Sequence, residues 1–201
     1  MMWDERYSED EWAYGTRPND FLADRIGALT PGRVLCLAEG QGRNAVFLAR
    51  RGFEVVAVDM SAAGMARARK LAEENGAQID TIVADLADFD MGTARWDSIV
   101  SIFAHMPPDV RRAVHARVVK ALKPGGTFLL EAYTPDQLHT SGTGGPRGEQ
   151  SDFLMSLDTL REELAGLEFE VARETLRDVN EGIYHHGEGA VVQILARRPQ
   201  E

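Results

Sequence analysis

A chain of 201 residues with 44% hydrophobic and 27% charged residues has room for one domain with a sizeable core. Its 32 acidic residues outnumber the 22 basic ones, and the net charge of −10 repels nucleic-acid backbones and anionic lipid, which leaves a small molecule as the expected partner. The single cysteine, Cys36, excludes a disulfide within the chain and fits a reducing, cytoplasmic setting, and no stretch approaches the ~20 apolar residues of a membrane span.

Residues 1–30 read as an N-terminal cap on a single domain of residues 1–201, whose core is 31–201. The opening "MMWDERYSEDEW" is acidic and lacks the apolar segment of a signal peptide. "EWAYGTRPNDFL" then gathers Trp12, Tyr14, a glycine and a proline ahead of the first strand. It reads either as a cap over the sheet edge or as a lid from which Tyr14 and Arg17 reach a ligand.

"RVLCLA" (33–38) predicts a buried strand, followed by the turn Gly40-Gln41-Gly42 and a helix that Gly52 stops. "EVVAVD" (54–59) predicts a second strand ending on Asp59, and Ser61 caps a helix running to Gly76. Third and fourth strands follow at "IDTIVADL" (79–86) and "WDSIVSIF" (96–103). A helix carrying Val110, Val114 and Val118 on one face runs to "KPGG", and "TFLLEAY" (127–133) is the fifth strand. Five strands separated by helices predict a doubly wound parallel sheet in an α/β fold. Residues 138–150 are rich in Gly, Ser, Thr and Pro, a flexible loop that could close on a substrate. In "DTLREELAGL" Thr159 and Glu162 stand at capping-box spacing. "EFEVARETLRDV" and "AVVQILARR" form two last strands joined by "NEGIYHHGEG", too short for a crossover helix, so they pair antiparallel.

In an open parallel sheet ligands bind beyond the carboxyl ends of the strands. Gly40 and Gly42 remove side chains where the backbone must approach a ligand, and Asp59, 19 residues after Gly40, stands where a carboxylate can hold a ribose diol. These residues suit both a nicotinamide dinucleotide and S-adenosylmethionine. Glu39 separates the two, because its charge repels a pyrophosphate but suits a sulfonium and an α-ammonium. Asp85 in "ADL", the "LKPGG" turn and the closing hairpin point the same way.

With these residues the chain resembles the class I S-adenosylmethionine-dependent methyltransferases, and within them the small bacterial enzymes grouped with tellurite-resistance and thiol-methylating proteins. The resemblance implies a Rossmann-like, seven-stranded, mostly parallel sheet of order 3-2-1-4-5-7-6 with the last strand antiparallel. It implies S-adenosylmethionine as cofactor, with Ala38, Glu39, Gly40, Gly42 and Asn44 around its methionine part, Asp59 and Met60 at the ribose, and Asp85 and Leu86 at the adenine. Ile102 and Phe103 would line the methyl-transfer side. The common pattern has an acid where Cys36 stands and a glycine where Ala38 stands. The expected activity is methylation of a small molecule, a thiol or a metalloid oxyanion such as tellurite being favoured, by a monomer or weak homodimer. The alternatives are an NAD(P)-dependent oxidoreductase and a non-catalytic binder of S-adenosylmethionine. An oxygen or nitrogen acceptor would need a base, for which His105 and Tyr133 are the candidates. His185 and His186 are adjacent and so point to opposite faces of a strand; no ligand set joins them, and no metal is expected.

Overall fold

The computed structural model describes residues 2–8 and 11–200. Seven strands, β1 (Arg33–Leu37), β2 (Glu54–Asp59), β3 (Asp80–Val83), β4 (Trp96–Ile102), β5 (Leu122–Tyr133), β6 (Glu168–Glu181) and β7 (His185–Arg197), form one sheet of order β3-β2-β1-β4-β5-β7-β6. β1 to β5 pair parallel, and β7 runs antiparallel to both β5 and β6. The sheet order and strand directions are those the resemblance implies.

Helices cover both faces: α1 (Met2–Ser8), α2 (Asp20–Arg25), α3 (Arg43–Ala49), α4 (Ala62–Glu74), α5 (Pro108–Ala121) and α6 (Leu157–Glu163). The alternation of side chains along the central strands divides the core. Leu35, Ile99, Phe128 and Leu130 pack with Val114 and Val118 of α5 and Leu160 of α6, while Val34, Cys36, Val100 and Leu129 pack with Leu22 of α2, Leu48 of α3 and Met65 of α4. Cys36 is thus a small core residue with no solvent access. Among the described residues no helix is long and apolar enough to cross a membrane.

Several boundaries differ from the sequence reading: β5 begins at Leu122 and takes in the KPGG segment expected to precede it, and α3 ends at Ala49, short of Gly52. β3 stops at Val83, because beyond Asp59 its neighbour β2 offers no further ladder. α6 begins one turn early: Ser156, not Thr159, is its N-cap, its hydroxyl accepting from the Thr159 N–H. The last two strands extend into the expected ten-residue connection and leave a three-residue turn at 182–184, since Asn180 pairs with His186 and Glu181 with His185. That extension draws His185 into the buried face of β7 and leaves His186 exposed.

Candidate functional site

The carboxyl ends of the parallel strands carry the loop from β1 to α3 (residues 38–42). Ala38, Gly40 and Gly42 all have positive φ, at 47°, 61° and 89°. The two glycines serve different ends. A Cβ on Gly42 would stand 2.6 Å from Cβ of Ala68, so this glycine lets α3 close against α4. A Cβ on Gly40 would meet the tip of the Tyr7 side chain, 2.8 Å from its oxygen and 3.0 Å from Cζ, so this one leaves room for a side chain to lie directly over the loop backbone. The N–H of Gly40 donates to Asp59 Oδ2 at 2.9 Å, while Oδ1 accepts from the Ser61 N–H at 2.8 Å, and the carboxylate is thereby fixed at the end of β2. Burial pushes its pKa up.

Glu39 turns inward. Because Gly42 caps α3 without a side chain, Glu39 supplies the missing acceptor: its Oε1 receives the N–H groups of Asn44 (2.9 Å) and Ala45 (2.8 Å). Burial raises its pKa to about 7 against those donors and the Arg43 charge.

Side chains of the same loop hold the N-terminal segment. Gln41 Oε1 accepts from the Ala13 N–H, Asn44 Oδ1 from the Asn19 N–H, and Arg43 donates to the Arg17 carbonyl. Asn44 is therefore occupied with residue 19, and the Arg17 side chain is exposed. The residue standing over the glycines is Tyr7 of α1, whose ring also approaches Gly64, while Asp4 accepts from the Ser61 hydroxyl (2.6 Å) and the Ala63 N–H (3.3 Å). The sequence reading of this end as a cap or a lid names Tyr14 and Arg17 and gives no role to Tyr7; the Trp3–Tyr7 spacing of one helical turn in an otherwise acidic stretch is the available signal. Met60 is half-buried beside Asp59, Leu86 is buried, and Asp85 is exposed with its carboxylate accepting from the Ala87 N–H. Arg117 of α5 donates to the carbonyls of Leu86 and Ala87 and so braces this segment.

The ends of β4, β5 and β7 are aromatic. Phe103 follows Ile102 with φ of 51°, a left-handed backbone that costs a bulky residue about 1–3 kcal/mol, and it is held by its N–H donating to the Glu131 carbonyl at 2.7 Å. Its ring stacks on Tyr133 (4.6 Å) and meets His185 edge-on (4.8 Å). Tyr14 packs against His185 at 4.6 Å and meets Tyr7 edge-on at 6.4 Å, so it links this aromatic wall to the ring that stands over Gly40. His105 is engaged at both ring nitrogens: Nε2 accepts from the Tyr133 N–H (3.0 Å) and Nδ1 pairs with the Phe103 carbonyl (3.1 Å). Burial lowers its pKa to about 4, so it is a neutral brace between the two strand ends.

Tyr133 Oη and His185 Nδ1 are buried and have no hydrogen-bond partner, a state that costs about 1–3 kcal/mol each. Gly144 closes over both; a Cβ there would stand 2.6 Å from the Tyr133 oxygen and 2.8 Å from the His185 ring. The sequence reading weighs His185 and His186 as a metal pair and finds no ligand set to join them; that His185 opens β7 and is buried there comes from the structure. Beneath this wall Arg177 pairs with Glu131 (2.5 Å) and Glu181 (2.7 Å), Arg43 pairs with Glu181 (2.5 Å), and Asn19 and Gln193 donate to the same carboxylates. Among the described residues no group of three or more His, Cys, Asp or Glu could hold a metal.

Residues 34–126 match the family model described as "Methyltransferase domain". The chain is 37% identical over 116 residues to the ubiquinone biosynthesis O-methyltransferase of Alkalilimnicola ehrlichii, covering 55% of this chain and 45% of that one. It is 29% identical over 133 residues to the 2-heptyl-1-hydroxyquinolin-4(1H)-one methyltransferase of Mycobacteroides abscessus, covering 62% and 59%. The chain thus spans about half the length of the curated relatives it matches. The solved structure of TehB from Haemophilus influenzae superposes with a TM-score of 0.73 at 21% identity, over 90% of this chain and 62% of that one, a likeness of fold.

Proposed function

We propose that the chain is a class I S-adenosylmethionine-dependent methyltransferase that methylates a small molecule, with a thiol or a metalloid oxyanion such as tellurite as the acceptors its resemblance favours; the matched methyltransferase domain and the sheet order support this reading. The observation that carries the reading is the join between Gly40 and Asp59: a glycine covered by the tip of the Tyr7 side chain and a fixed carboxylate at the ends of adjacent strands. Two further features fit the cofactor. Gln41 Nε2 is a buried donor with no partner in the loop that would wrap the methionine part. Glu39 and Asp59 are buried carboxylates that a cationic ligand would favour.

S-adenosylmethionine, when bound, supplies the methyl group on a sulfonium. The chain's own contribution is to place and exclude. Asp59 and Met60 would hold the ribose, Asp85 and Leu86 the adenine, and Glu39, Gly40 and Gly42 the amino-acid end, with Ala38 shaping the floor. Ile102 and Phe103 would face the transferred group, since β4 lies beside β1 in the sheet. Holding acceptor and methyl in line is worth up to ~7–11 kcal/mol of the barrier. Tyr133 would act on the acceptor side and His105 would position it, both of its nitrogens being committed to backbone. Tyr7 gives way over Gly40 as the cofactor enters.

The test is thermal unfolding with S-adenosylmethionine, S-adenosylhomocysteine and NAD side by side. Stabilisation by the two sulfur ligands and not by NAD is expected, and Asp59→Ala should abolish it. No shift with either sulfur ligand sinks the reading.

A further inference from the structure

Two polar atoms at the aromatic end of the sheet lack the partners that burial ordinarily demands. Tyr133 has no exposed surface and its hydroxyl bonds to nothing; His185 is 6% exposed and its Nδ1 bonds to nothing. The two rings lie 5.2 Å apart and nearly perpendicular. Phe103 and Tyr14 wall them, and Gly144 covers them directly. The covering segment is anchored to the hairpin at Thr143, whose N–H donates to the His186 carbonyl at 2.7 Å, and Gly144 and Gly145 beside it have φ of 115° and 77°. The Thr143 hydroxyl also accepts from the His186 N–H at 3.1 Å, and a glycine pair beside this one bridged residue gives the segment a place to hinge.

We propose that Tyr133 Oη and His185 Nδ1 bind the methyl acceptor, and that this acceptor is a neutral, planar molecule presenting a hydroxyl or a thiol, admitted when residues 142–145 lift. The inference rests on the methyltransferase reading and narrows it. A hydroxyl or thiol both donates and accepts, and the pair offers the complement: the phenol donates, and the imidazole carrying its proton on Nε2 accepts at Nδ1. The walls are rings, against which a planar acceptor stacks. An oxyanion would need an uncompensated cation. Arg43 and Arg177, whose charges act on the histidine, are already paired with Glu181 and Glu131, Arg6 is engaged with the Tyr14 hydroxyl and the Tyr184 ring, and burial holds His185 neutral. Placement agrees as well. β5 lies two strands, about 10 Å, from β1, and Phe103, which stacks on Tyr133, follows the strand between them.

The experiment is calorimetric titration of 1-naphthol, benzyl mercaptan and tellurite into the protein with and without S-adenosylhomocysteine at neutral pH. Both neutral probes should bind and tellurite should not. Tyr133→Phe and His185→Gln should each weaken the neutral probes by about tenfold, as expected for one buried hydrogen bond, while leaving the affinity for S-adenosylhomocysteine within twofold. Gly144→Ala, strained at its φ and unable to close on the ring pair, should speed association of the probes. Tellurite binding as well as the neutral probes, neither neutral probe binding, or unchanged affinity in both ring variants overturns the proposal. If S-adenosylhomocysteine itself fails to bind, the methyltransferase reading falls, and the titration of the unloaded protein still reads the Tyr133–His185 site.

Discussion

The two halves of the sheet's carboxyl edge are built from opposite materials. At the ends of β1 and β2 the chain presents main chain, glycines and short carboxylates, and both carboxylates are tied: Asp59 to the Gly40 and Ser61 N–H groups, Glu39 to the first turn of α3. At the ends of β4, β5 and β7 it presents rings, with two buried polar atoms left unpaired. The first half spends its hydrogen bonds on its own shape, so a change there should cost stability. The second holds hydrogen bonds in reserve, so truncation there should cost binding and spare the fold.

The pair Gly42→Ala and Gly40→Ala tests the first half most severely. At Gly42 a Cβ would stand 2.6 Å from Ala68 Cβ and 2.8 Å from its Cα, at a φ of 89°. Overpacking of α3 on α4 and left-handed strain together should remove about 2–4 kcal/mol, read in a denaturant titration. At Gly40 the obstacle is the tip of Tyr7, a side chain that can turn aside, so Gly40→Ala should lose only about 1 kcal/mol while weakening the cofactor at least tenfold. Equal losses of stability in the two variants would erase the distinction between a packing glycine and a ligand glycine.

Glu39 gives the next largest effect, and its sign follows from burial. An unfolded glutamate titrates near 4.5, whereas Glu39 holds its proton up to about pH 7. The native state therefore binds more protons than the unfolded one between these values, and this group's contribution to stability falls as pH rises through that window. Asp59, also raised by burial, adds a slope of the same sign. A cationic ligand favours the carboxylate, so binding should release a proton and tighten severalfold from pH 6 to pH 8. Glu39→Gln keeps an oxygen for the Asn44 and Ala45 N–H groups and loses the charge; calorimetry should show its affinity flat across that range. A slope unchanged in Glu39→Gln would assign the titration elsewhere.

In the second half the sign reverses. Tyr133→Phe deletes a buried oxygen that bonds to nothing, so the variant should be more stable by about 1 kcal/mol, a rise in Tm of roughly 2–4 °C, even as it loses acceptor affinity. Destabilisation by Tyr133→Phe would mean that the hydroxyl has a partner in solution.

The same contrast governs what could be read from the sequence. The strand ends that carry the glycine loop were legible because their signals are local: a β-branched run, a turn glycine, a capping serine at Ser61. Seven strands in this order, and an antiparallel last pair, followed from alternation, a short connection and the resemblance. The acceptor wall was not legible in the same way. His185 is buried because β6 and β7 pair down to Glu181 and His185, and where a hairpin stops zipping is set by cross-strand packing, not by the residues of one strand. The sequence offers Glu39 as a partner for a cationic cofactor; its second role, capping α3, emerges from its hydrogen bonds to the Asn44 and Ala45 N–H groups. A glycine at the N-cap, with no acceptor of its own, was the sequence signal for that.

The smallest effect is expected at Ala38, where the family pattern has glycine. Its φ of 47° places an L-residue in the left-handed region, at a cost of about 1 kcal/mol. Ala38→Gly relieves that strain but frees the unfolded chain, a loss of about 0.4–1 kcal/mol. The two terms nearly cancel, so stability should change by less than ~0.5 kcal/mol. Binding should follow the same logic. Backbone conformation at residue 38 is already that of a glycine, and Asp59 is held from residue 40, so cofactor affinity should shift by less than threefold. A gain of tenfold or more in Ala38→Gly would instead show that the methyl group of Ala38 occupies ligand space, and that the cofactor half trades affinity as well as shape.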